Sequence, residues 1–324
     1  MSKYSVSRRG MLFASAALAA LAMTGAPSVV LAQQATAVAG DVSVDKRPVI
    51  HPDGPKLGAY DPYGDFSNES AVATEHLFLP WEDVDFSGLA AADEYAHSRG
   101  RNVLITIEPW SWSLDWNVSP RQLRNEILAG KKDENLRAVL KAVSGFKSPI
   151  IIRWAQEMDS TSGRFTWSNW APRDYIKAYQ HMVDIIREEL PKAQVMWSPK
   201  GEKNLKDYYP GDKYVDIVGL TVFGYDKFDK IEHGKPRTFA ESLKQGYDLA
   251  AGFGKPIWVA EVGYEGDTDY LKSWVQDLTA KNPAYPELKE VVYFNDKEVW
   301  GWPHGLGLPD WRVNRAHANY PVRR

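Results

Sequence analysis

The stretch of sequence that decides the fold is PIIIRWAQEM, residues 149–158. It is a short apolar run that ends abruptly in a carboxylate, Glu157, and the stretch KPIWVAEVGY at residues 255–264 repeats the pattern around Glu261. Continuous apolar runs of this length are typical of strands buried on both faces, as in a parallel sheet covered by helices. A glutamate at the carboxyl end of such a strand lies where an α/β barrel keeps its active site. The two glutamates can converge only if the sheet closes.

Strands and helices alternate along the chain from Lys56 onward. The predicted strands cover residues 57–60, 76–79, 102–107, 150–154, 194–198, 215–221, 257–260 and 290–295. The predicted helices cover residues 86–98, 134–143, 172–190, 239–251 and 268–278. This pattern predicts an α/β fold, a single-domain (β/α)8 TIM barrel. An open, doubly wound sheet is the alternative, but eight strands and a first turn without a glycine-rich motif count against it.

The start of the chain has the features of an export signal. A twin arginine at residues 8–9 is followed by an apolar stretch that reaches Val30, and residues 30–32 form a small-residue cleavage pattern. An uncleaved membrane anchor is the alternative, and the alanine-rich composition favours cleavage. We therefore expect a periplasmic or secreted protein. The predicted organisation is a twin-arginine signal peptide at residues 1–32, a linker at residues 33–50 and the barrel domain at residues 51–324.

Composition limits the possible partners. The 324 residues carry a formal net charge of −3, and loss of the signal peptide would remove Lys3, Arg8 and Arg9 but no acid. A mildly acidic surface argues against nucleic acid or an anionic membrane as partner. The chain has no cysteine, and its 7 histidines show no metal-binding spacing, so we expect no disulfide, no metal and no cofactor. The 13 tryptophans suit stacking on sugar rings as well as filling a core.

Two converging carboxylates are the requirement of glycoside hydrolysis, and further stretches make a family resemblance specific. The sequence is similar to clan A of the glycoside hydrolases and within it most resembles family 26, the β-mannanases and related β-glucanases. The matching stretches keep the family's order: IRWAQEM at 152–158, WSNW at 167–170, VMWSP at 195–199, YYPGD at 208–212, YVDIVG at 214–219, PIWVAE at 256–261 and VYFN at 292–295.

This resemblance implies roles for the two glutamates. Glu157 corresponds to the acid/base at the end of the fourth strand, and Glu261 to the nucleophile at the end of the seventh. The family is retaining, so Glu261 would attack the anomeric carbon, while Glu157 would protonate the leaving oxygen and then deprotonate water. We expect Glu157 to be the less solvated carboxyl and to have the higher pKa.

The chain departs from the family pattern at three points. Gln156 stands where the family usually has histidine, and Asp159-Ser160 stands where it often has Asn-Gly. The family's tyrosine that contacts the nucleophile aligns with Phe223, and Tyr225 is a candidate replacement. These departures bear on substrate identity more than on catalysis.

Further substrate-binding candidates lie mostly beside or after the predicted strands. For Glu108 the alternative is an ion pair with Arg153, and for the tryptophans it is packing in the core or in a loop. The predicted substrate-binding set is Gln156, Glu108, Trp110, Arg153, Trp167, Trp170, Tyr225 and Trp300.

The sequence as a whole indicates a retaining, endo-acting β-glycoside hydrolase that cleaves a β-linked polysaccharide of the mannan or β-1,3/1,4-glucan type. Aromatic residues in several loops of one domain favour an open cleft and hence endo action. We expect a monomer that has no membrane contact after signal cleavage. One alternative is a non-catalytic barrel that binds polysaccharide, and another is a transglycosylase acting on a bacterial exopolysaccharide.

Overall fold

The computed structural model describes residues 45–111 and 118–314 of the chain. The predicted signal peptide and the first part of the predicted linker lie outside the described residues. Within these two ranges, no helix has both the length and the apolar character needed to cross a membrane.

Eight parallel strands form a closed barrel in which each strand pairs with its neighbours in chain order and the last pairs with the first. The strands are β1 Lys56–Tyr60, β2 Val72–Pro80, β3 Asn102–Glu108, β4 Ile150–Trp154, β5 Gln194–Trp197, β6 Ile217–Tyr225, β7 Ile257–Glu265 and β8 Leu288–Phe294. The predicted single-domain (β/α)8 TIM barrel is confirmed. The carboxyl ends of all eight strands therefore meet at one mouth, where the loops after the strands can build a site.

Helices cover the outside of the barrel. Those in the described ranges are α1 Leu89–His97, α2 Pro120–Leu128, α3 Asp133–Val143, α4 Pro172–Glu189, α5 Asp226–His233, α6 Phe239–Ala250 and α7 Thr268–Asp277. Several begin at caps that the sequence encodes. The Ser119 side chain accepts the Gln122 N–H at the start of α2, and Thr238 and Glu241 form a capping box at the start of α6. Such caps satisfy backbone N–H groups that the first helical turn leaves free.

The barrel interior is filled by a compact apolar cluster. Its members come from six strands and are Leu104, Ile151, Met196, Ile217, Trp258, Ala260 and Val292. Packing is close, because a Cβ on Gly219 would lie 2.5 Å from the Met196 sulfur and 3.1 Å from the Ala260 Cβ. A filled interior fixes the strand positions and thereby the side chains that project at the mouth.

Some element bounds differ from the prediction. β6 and β7 extend to Tyr225 and Glu265, so Glu261 lies within β7 rather than at its end. The register between β6 and β7 shifts beside Glu261, between Leu220 and Thr221. Irregularities of this kind re-aim side chains next to active sites. The sequence pattern does not predict α2 or α5, because each is short and carries few apolar residues.

The end of the predicted linker packs on the barrel. Lys46 is 1% exposed, and its Nζ donates to Glu265 Oε2 at 3.0 Å and to the Asp310 carbonyl. The Tyr264 hydroxyl donates to the Lys46 carbonyl at 2.5 Å. The Val49 N–H donates to the Val275 carbonyl at 2.9 Å. The contacts of the domain therefore begin before residue 51.

Candidate active site

Glu157 lies just beyond the end of β4 on a strained turn. The backbones of Ala155 and Glu157 have φ angles of 49° and 55°, in the left-handed region that residues with a side chain seldom adopt. Such conformations cost about 1–3 kcal/mol each and persist where the surrounding structure enforces them, commonly at functional sites. The Glu157 N–H donates to the Ser198 carbonyl at 2.8 Å, which ties the turn to the end of β5.

Glu261 is held by a buried guanidinium. Arg153 projects from β4, and its Nη1 lies 2.6 Å from Glu261 Oε1. The same side chain donates from Nε to the Ser198 hydroxyl at 2.8 Å and from Nη1 to the Thr106 hydroxyl at 3.2 Å. Arg153 is fully buried, so these bonds fix its orientation. The Glu261 carboxylate therefore has one defined cationic partner.

The protonation of the two glutamates is linked. Burial raises the pKa of Glu261 from its ordinary value of 4.5 to about 7, the Arg153 charge lowers it, and the Glu157 carboxylate raises it. The sequence predicted the higher pKa for Glu157, whereas the structure raises that of Glu261. Solvation does not separate the two, since Glu157 is 7% exposed and Glu261 9%. The charge of Glu157 therefore acts on the protonation of Glu261, and Arg153 opposes it.

Glu108 belongs to a hydrogen-bonded unit next to Glu157. Its Oε1 accepts from Gln156 Nε2 at 2.7 Å, and its Oε2 accepts from Trp110 Nε1 at 3.2 Å. Burial raises the pKa of Glu108. The alternative of a Glu108–Arg153 ion pair is wrong, because the guanidinium is committed to Glu261.

Asp159 joins the loop after β4 to the loop after β5. Its carboxylate accepts the backbone N–H groups of Lys200, Gly201 and Glu202 at 2.6, 3.0 and 2.8 Å. The pKa of Lys200 is raised by three nearby carboxylates, those of Glu202, Glu157 and Asp159, although burial of Lys200 lowers it. The hydrogen bonds of Asp159 to residues 200–202 thus keep the Lys200 cation within electrostatic reach of Glu157. From the sequence, Asp159 is only a departure from the family pattern, and these hydrogen bonds were not predicted.

Several buried polar atoms in the site lack a partner. Arg153 Nη2, Gln156 Oε1 and Thr221 Oγ1 have no hydrogen-bond partner in the part of the chain that the structure describes. Leaving such atoms unpaired is costly, so sites of this kind commonly bind polar ligands or water. The hydroxyls of a sugar both donate and accept, and they match this set. In the same described ranges, no three histidine, cysteine, aspartate or glutamate residues are grouped as a metal site.

Comparison with known proteins connects this geometry to a family. Residues 125–236 match glycosyl hydrolase family 26, a segment that contains Glu157 and ends before Glu261. Endoglucanase H of Acetivibrio thermocellus is 23% identical over 291 residues, which cover 81% of this chain and 29% of that protein. A mannan endo-1,4-beta-mannosidase of Bacillus subtilis strain 168 is 29% identical over 127 residues, covering 38% of this chain and 30% of that protein.

The chain is a relative of glycosyl hydrolase family 26. The predicted resemblance to family 26 is confirmed, and the predicted enzyme class, a glycosidase, agrees with it. A beta-1,3-xylanase of a Vibrio species is 24% identical over 184 residues, which cover 52% of this chain and 39% of that protein. The chain therefore spans well under half the length of these curated relatives. A modular endo-beta-1,4-mannanase from Cellulomonas fimi superposes with a TM-score of 0.60 at 16% identity, covering 75% of this chain and 65% of that one, which shows the shared fold.

Against the family 26 pattern, neither Phe223 nor Tyr225 donates a hydroxyl to Glu261. The Phe223 ring packs against Trp311 at 5.0 Å and against Phe294 at 6.0 Å. The Tyr225 hydroxyl donates to the Leu306 carbonyl at 3.2 Å, so it is committed elsewhere. The prediction that Tyr225 replaces the family's tyrosine beside Glu261 is therefore not realised. Arg153 supplies the hydrogen bond to that carboxylate instead.

The predicted stacking tryptophans divide into two groups. Trp167 is fully buried and donates from Nε1 to the Gln156 carbonyl at 2.6 Å, and Trp170 is 3% exposed and donates to the Pro120 carbonyl at 2.7 Å. The stacking prediction is wrong for these two, because a buried ring has no face for a sugar. Trp110 is half-buried and meets Trp167 edge-on at 4.9 Å. Trp300 is 50% exposed and keeps surface for a ligand.

The mouth also contains an aromatic group that was not predicted from the sequence. Tyr60, Phe78, Phe223 and Phe294 are half-buried rings near the carboxyl ends of β1, β2, β6 and β8. Tyr60 stacks on Phe294 at 5.0 Å and meets Phe78 edge-on at 5.1 Å. The available signal was the two-residue strand period, which places Phe294 on the same face as the interior Val292. We call these four residues the aromatic floor, an apolar surface beside β7.

Proposed function

We propose that the protein is a retaining β-glycanase. The observation that carries the proposal is the buried pair of Glu157 and Glu261 at the mouth of a barrel related to family 26, with Arg153 bound to only one of them. Unequal surroundings allow two carboxyls to take different roles, one as the acid and one as the nucleophile.

The first step forms a glycosyl-enzyme. The Arg153 guanidinium lies 2.6 Å from Glu261 and favours the anionic form of that carboxyl, the form that attack on the anomeric carbon requires. A Glu261 oxygen bonds to the anomeric carbon while the bond from that carbon to the leaving oxygen breaks. Glu157 gives its proton to the leaving oxygen, so the departing sugar leaves as a neutral alcohol.

The second step releases the sugar. Glu157, now a carboxylate, takes a proton from a water molecule whose oxygen bonds to the anomeric carbon. The bond between that carbon and Glu261 breaks, which restores both carboxyls to their starting states. Each displacement inverts the anomeric carbon, and two inversions give net retention.

The substrate that we propose is a β-mannan or a β-1,3/1,4-glucan. The relatives carry the names endoglucanase, mannan endo-1,4-beta-mannosidase and beta-1,3-xylanase, so several β-linked backbones occur among them. Two of these names denote endo action. The aromatic floor and the exposed Trp300 offer ring faces that suit the C–H faces of sugars.

A panel of soluble polysaccharides tests the proposal: mannan, glucomannan, lichenan, carboxymethylcellulose and xylan. Wild type is compared with Glu157→Gln and Glu261→Ala, and with the matched control Glu188→Gln on the exposed side of α4. We expect hydrolysis of one β-glycan that both site variants abolish and the control keeps. Sugar binding by all four proteins without hydrolysis would instead identify a binding barrel, and products longer than the substrate would identify a transglycosylase.

Azide rescue tests the retaining mechanism and the assignment of roles. With an activated aryl glycoside, Glu261→Ala plus azide should give the α-glycosyl azide, because azide displaces the leaving group directly. Glu157→Ala plus azide should give the β-glycosyl azide, because azide attacks the glycosyl-enzyme. Nuclear magnetic resonance of the anomeric proton distinguishes the two products. Exchanged outcomes would reverse the roles, and failure of both rescues would contradict the mechanism.

A further inference from the structure

An ion pair connects two loops on opposite sides of the barrel mouth. Arg164 lies in the loop after β4, Glu298 lies in the segment after β8, and Arg164 Nη2 is 2.7 Å from Glu298 Oε1. In the closed order of eight strands, β4 and β8 are four strands apart in either direction and so lie opposite each other. We call the pair of Arg164 and Glu298 the crossbar.

The crossbar is firmly held. Glu298 is 5% exposed, and its Oε1 also accepts the backbone N–H groups of Val299 at 2.9 Å and Trp300 at 3.2 Å. The Arg164 guanidinium lies 5.5 Å from the centre of the Phe165 ring and 5.9 Å from that of Trp300. A shielded ion pair with cation–π contacts is stronger than an exposed one. The crossbar is therefore a defined part of the mouth.

The crossbar lies close to the catalytic groups. The positive charge of Arg164 opposes the effect of burial on the pKa values of both Glu108 and Glu261, so the guanidinium is within electrostatic reach of both carboxylates. Arg164 Nε is buried and has no hydrogen-bond partner among the described residues, which leaves one donor for a ligand. The crossbar is therefore placed to contact a glycan bound at Glu261.

We propose that the crossbar confines cleavage to bonds near a chain end, because it prevents an internal stretch of polysaccharide from entering the mouth from above. The inference rests on the proposed glycanase function and narrows it. A chain that meets a closed crossbar either stops against it or threads beneath it, and both routes require a free end. In this respect the protein would differ from the endo action that the names of two relatives denote.

The test compares the loss of viscosity with the number of bonds cleaved, on the polysaccharide that the panel identifies. Internal cleavage lowers viscosity steeply per new reducing end, whereas cleavage near an end lowers it slowly. The loss of viscosity per bond cleaved, here called the viscosity ratio, does not depend on the rate of hydrolysis. Variants that are only partly active can therefore be compared. We expect a low ratio for wild type and a several-fold higher ratio for Arg164→Ala and Glu298→Gln.

The control is Arg137→Ala, which removes ion pairs to Glu188 and Glu189 between α3 and α4, on the outside of the barrel. It should leave the viscosity ratio at the wild-type value. A high ratio for wild type, or the same ratio in wild type and both crossbar variants, would overturn the inference. Wild type that hydrolyses no member of the panel would refute the proposed function itself. Thermal melting of each variant separates a change in cleavage pattern from a loss of folding.

Discussion

The two ends of the barrel each contain a buried glutamate whose pKa is raised to about 7, and the causes differ. At the mouth, burial of Glu261 is opposed by the Arg153 charge and reinforced by Glu157. Near the amino end, burial of Glu290 dominates, and no cation lies within ion-pair distance of it among the described residues. Its register partner on β1 is Lys56, which lowers the pKa only as a distant charge.

This comparison shows that a raised pKa alone does not identify an active site. Glu261 has a cation at 2.6 Å, a second carboxyl within electrostatic reach and a strained turn nearby. Glu290 has an unpaired buried oxygen and no such neighbours in the described part of the chain. In barrels of this kind the mouth carries chemistry and the opposite end carries stability. The two glutamates have similarly raised pKa values, and they differ in the groups that surround them.

The largest expected effect is on activity, and it distinguishes Glu261 from Glu290. Glu261→Gln should lower kcat/KM by about 1000-fold or more, because it removes the carboxylate that we propose bonds to the anomeric carbon. Glu290→Gln should keep the wild-type kcat/KM, since it alters only the far end of the barrel. Steady-state kinetics on the panel substrate measures both. A comparable loss in the two variants would show that the comparison of the two ends is mistaken.

The next largest effect is expected from removal of Arg153, the cation beside Glu261 at the mouth. Arg153→Met leaves Glu261 buried without its partner, and breaking a buried pair in this way costs about 3–5 kcal/mol of the free energy of unfolding. Loss of the positive charge also raises the pKa of Glu261 further above about 7. Glu261, the proposed nucleophile, then stays protonated to higher pH, so the acid limb of the pH–rate profile should move to higher pH. Arg137→Met, on the outer helices, should move neither quantity, and an unmoved acid limb in Arg153→Met would argue against the assigned role.

A third expected effect is a pH-dependent change in the free energy of unfolding caused by Glu290, near the amino end of the barrel. The pKa of Glu290 is about 7 in the folded protein against an ordinary value of 4.5, so the folded state holds the proton more tightly. The free energy of unfolding should therefore fall as pH rises from 4.5 to 7 and then level off, by about 3 kcal/mol in total from this residue. Glu290→Gln should remove that decline and be more stable than wild type at pH above about 7. Urea titrations across this pH range measure the free energy of unfolding, with Glu188→Gln as the control. The prediction is contradicted if this free energy depends on pH in the same way in wild type and in Glu290→Gln.

The smallest expected effect is that of Trp300, for which a tryptophan of the barrel interior provides the contrast. Trp300 at the mouth is 50% exposed, and Trp258 in the barrel interior is 7% exposed. Trp300→Ala should weaken substrate binding by about 1 kcal/mol, a few-fold rise in KM, and change stability by less than about 0.5 kcal/mol. Trp258→Ala should instead lower the free energy of unfolding by about 3–5 kcal/mol. A KM for Trp300→Ala equal to that of wild type would remove Trp300 from the substrate-binding set.

Much of the fold was predictable because its signals are local. Apolar runs such as the one at residues 150–154 report strands that are buried on both faces, and the predicted and observed bounds of β4 agree. The ends of β6 and β7 were not predictable from the same pattern, since aromatic and glycine residues continue those strands into the mouth. The helices α2 and α5 carry too few apolar residues to show a helical period.

The sequence by itself determined that this chain closes eight strands into a barrel and places Glu157 and Glu261 after apolar strand segments. Strand patterns and motif order are properties of neighbouring residues, and the chain carries them directly. Only the tertiary structure decided that Arg153 pairs with Glu261 and not with Glu108, that Trp167 and Trp170 are buried, and that Arg164 meets Glu298 across the mouth. These contacts join residues far apart in the chain, and closure of the barrel sets which of several possible partners lies within reach.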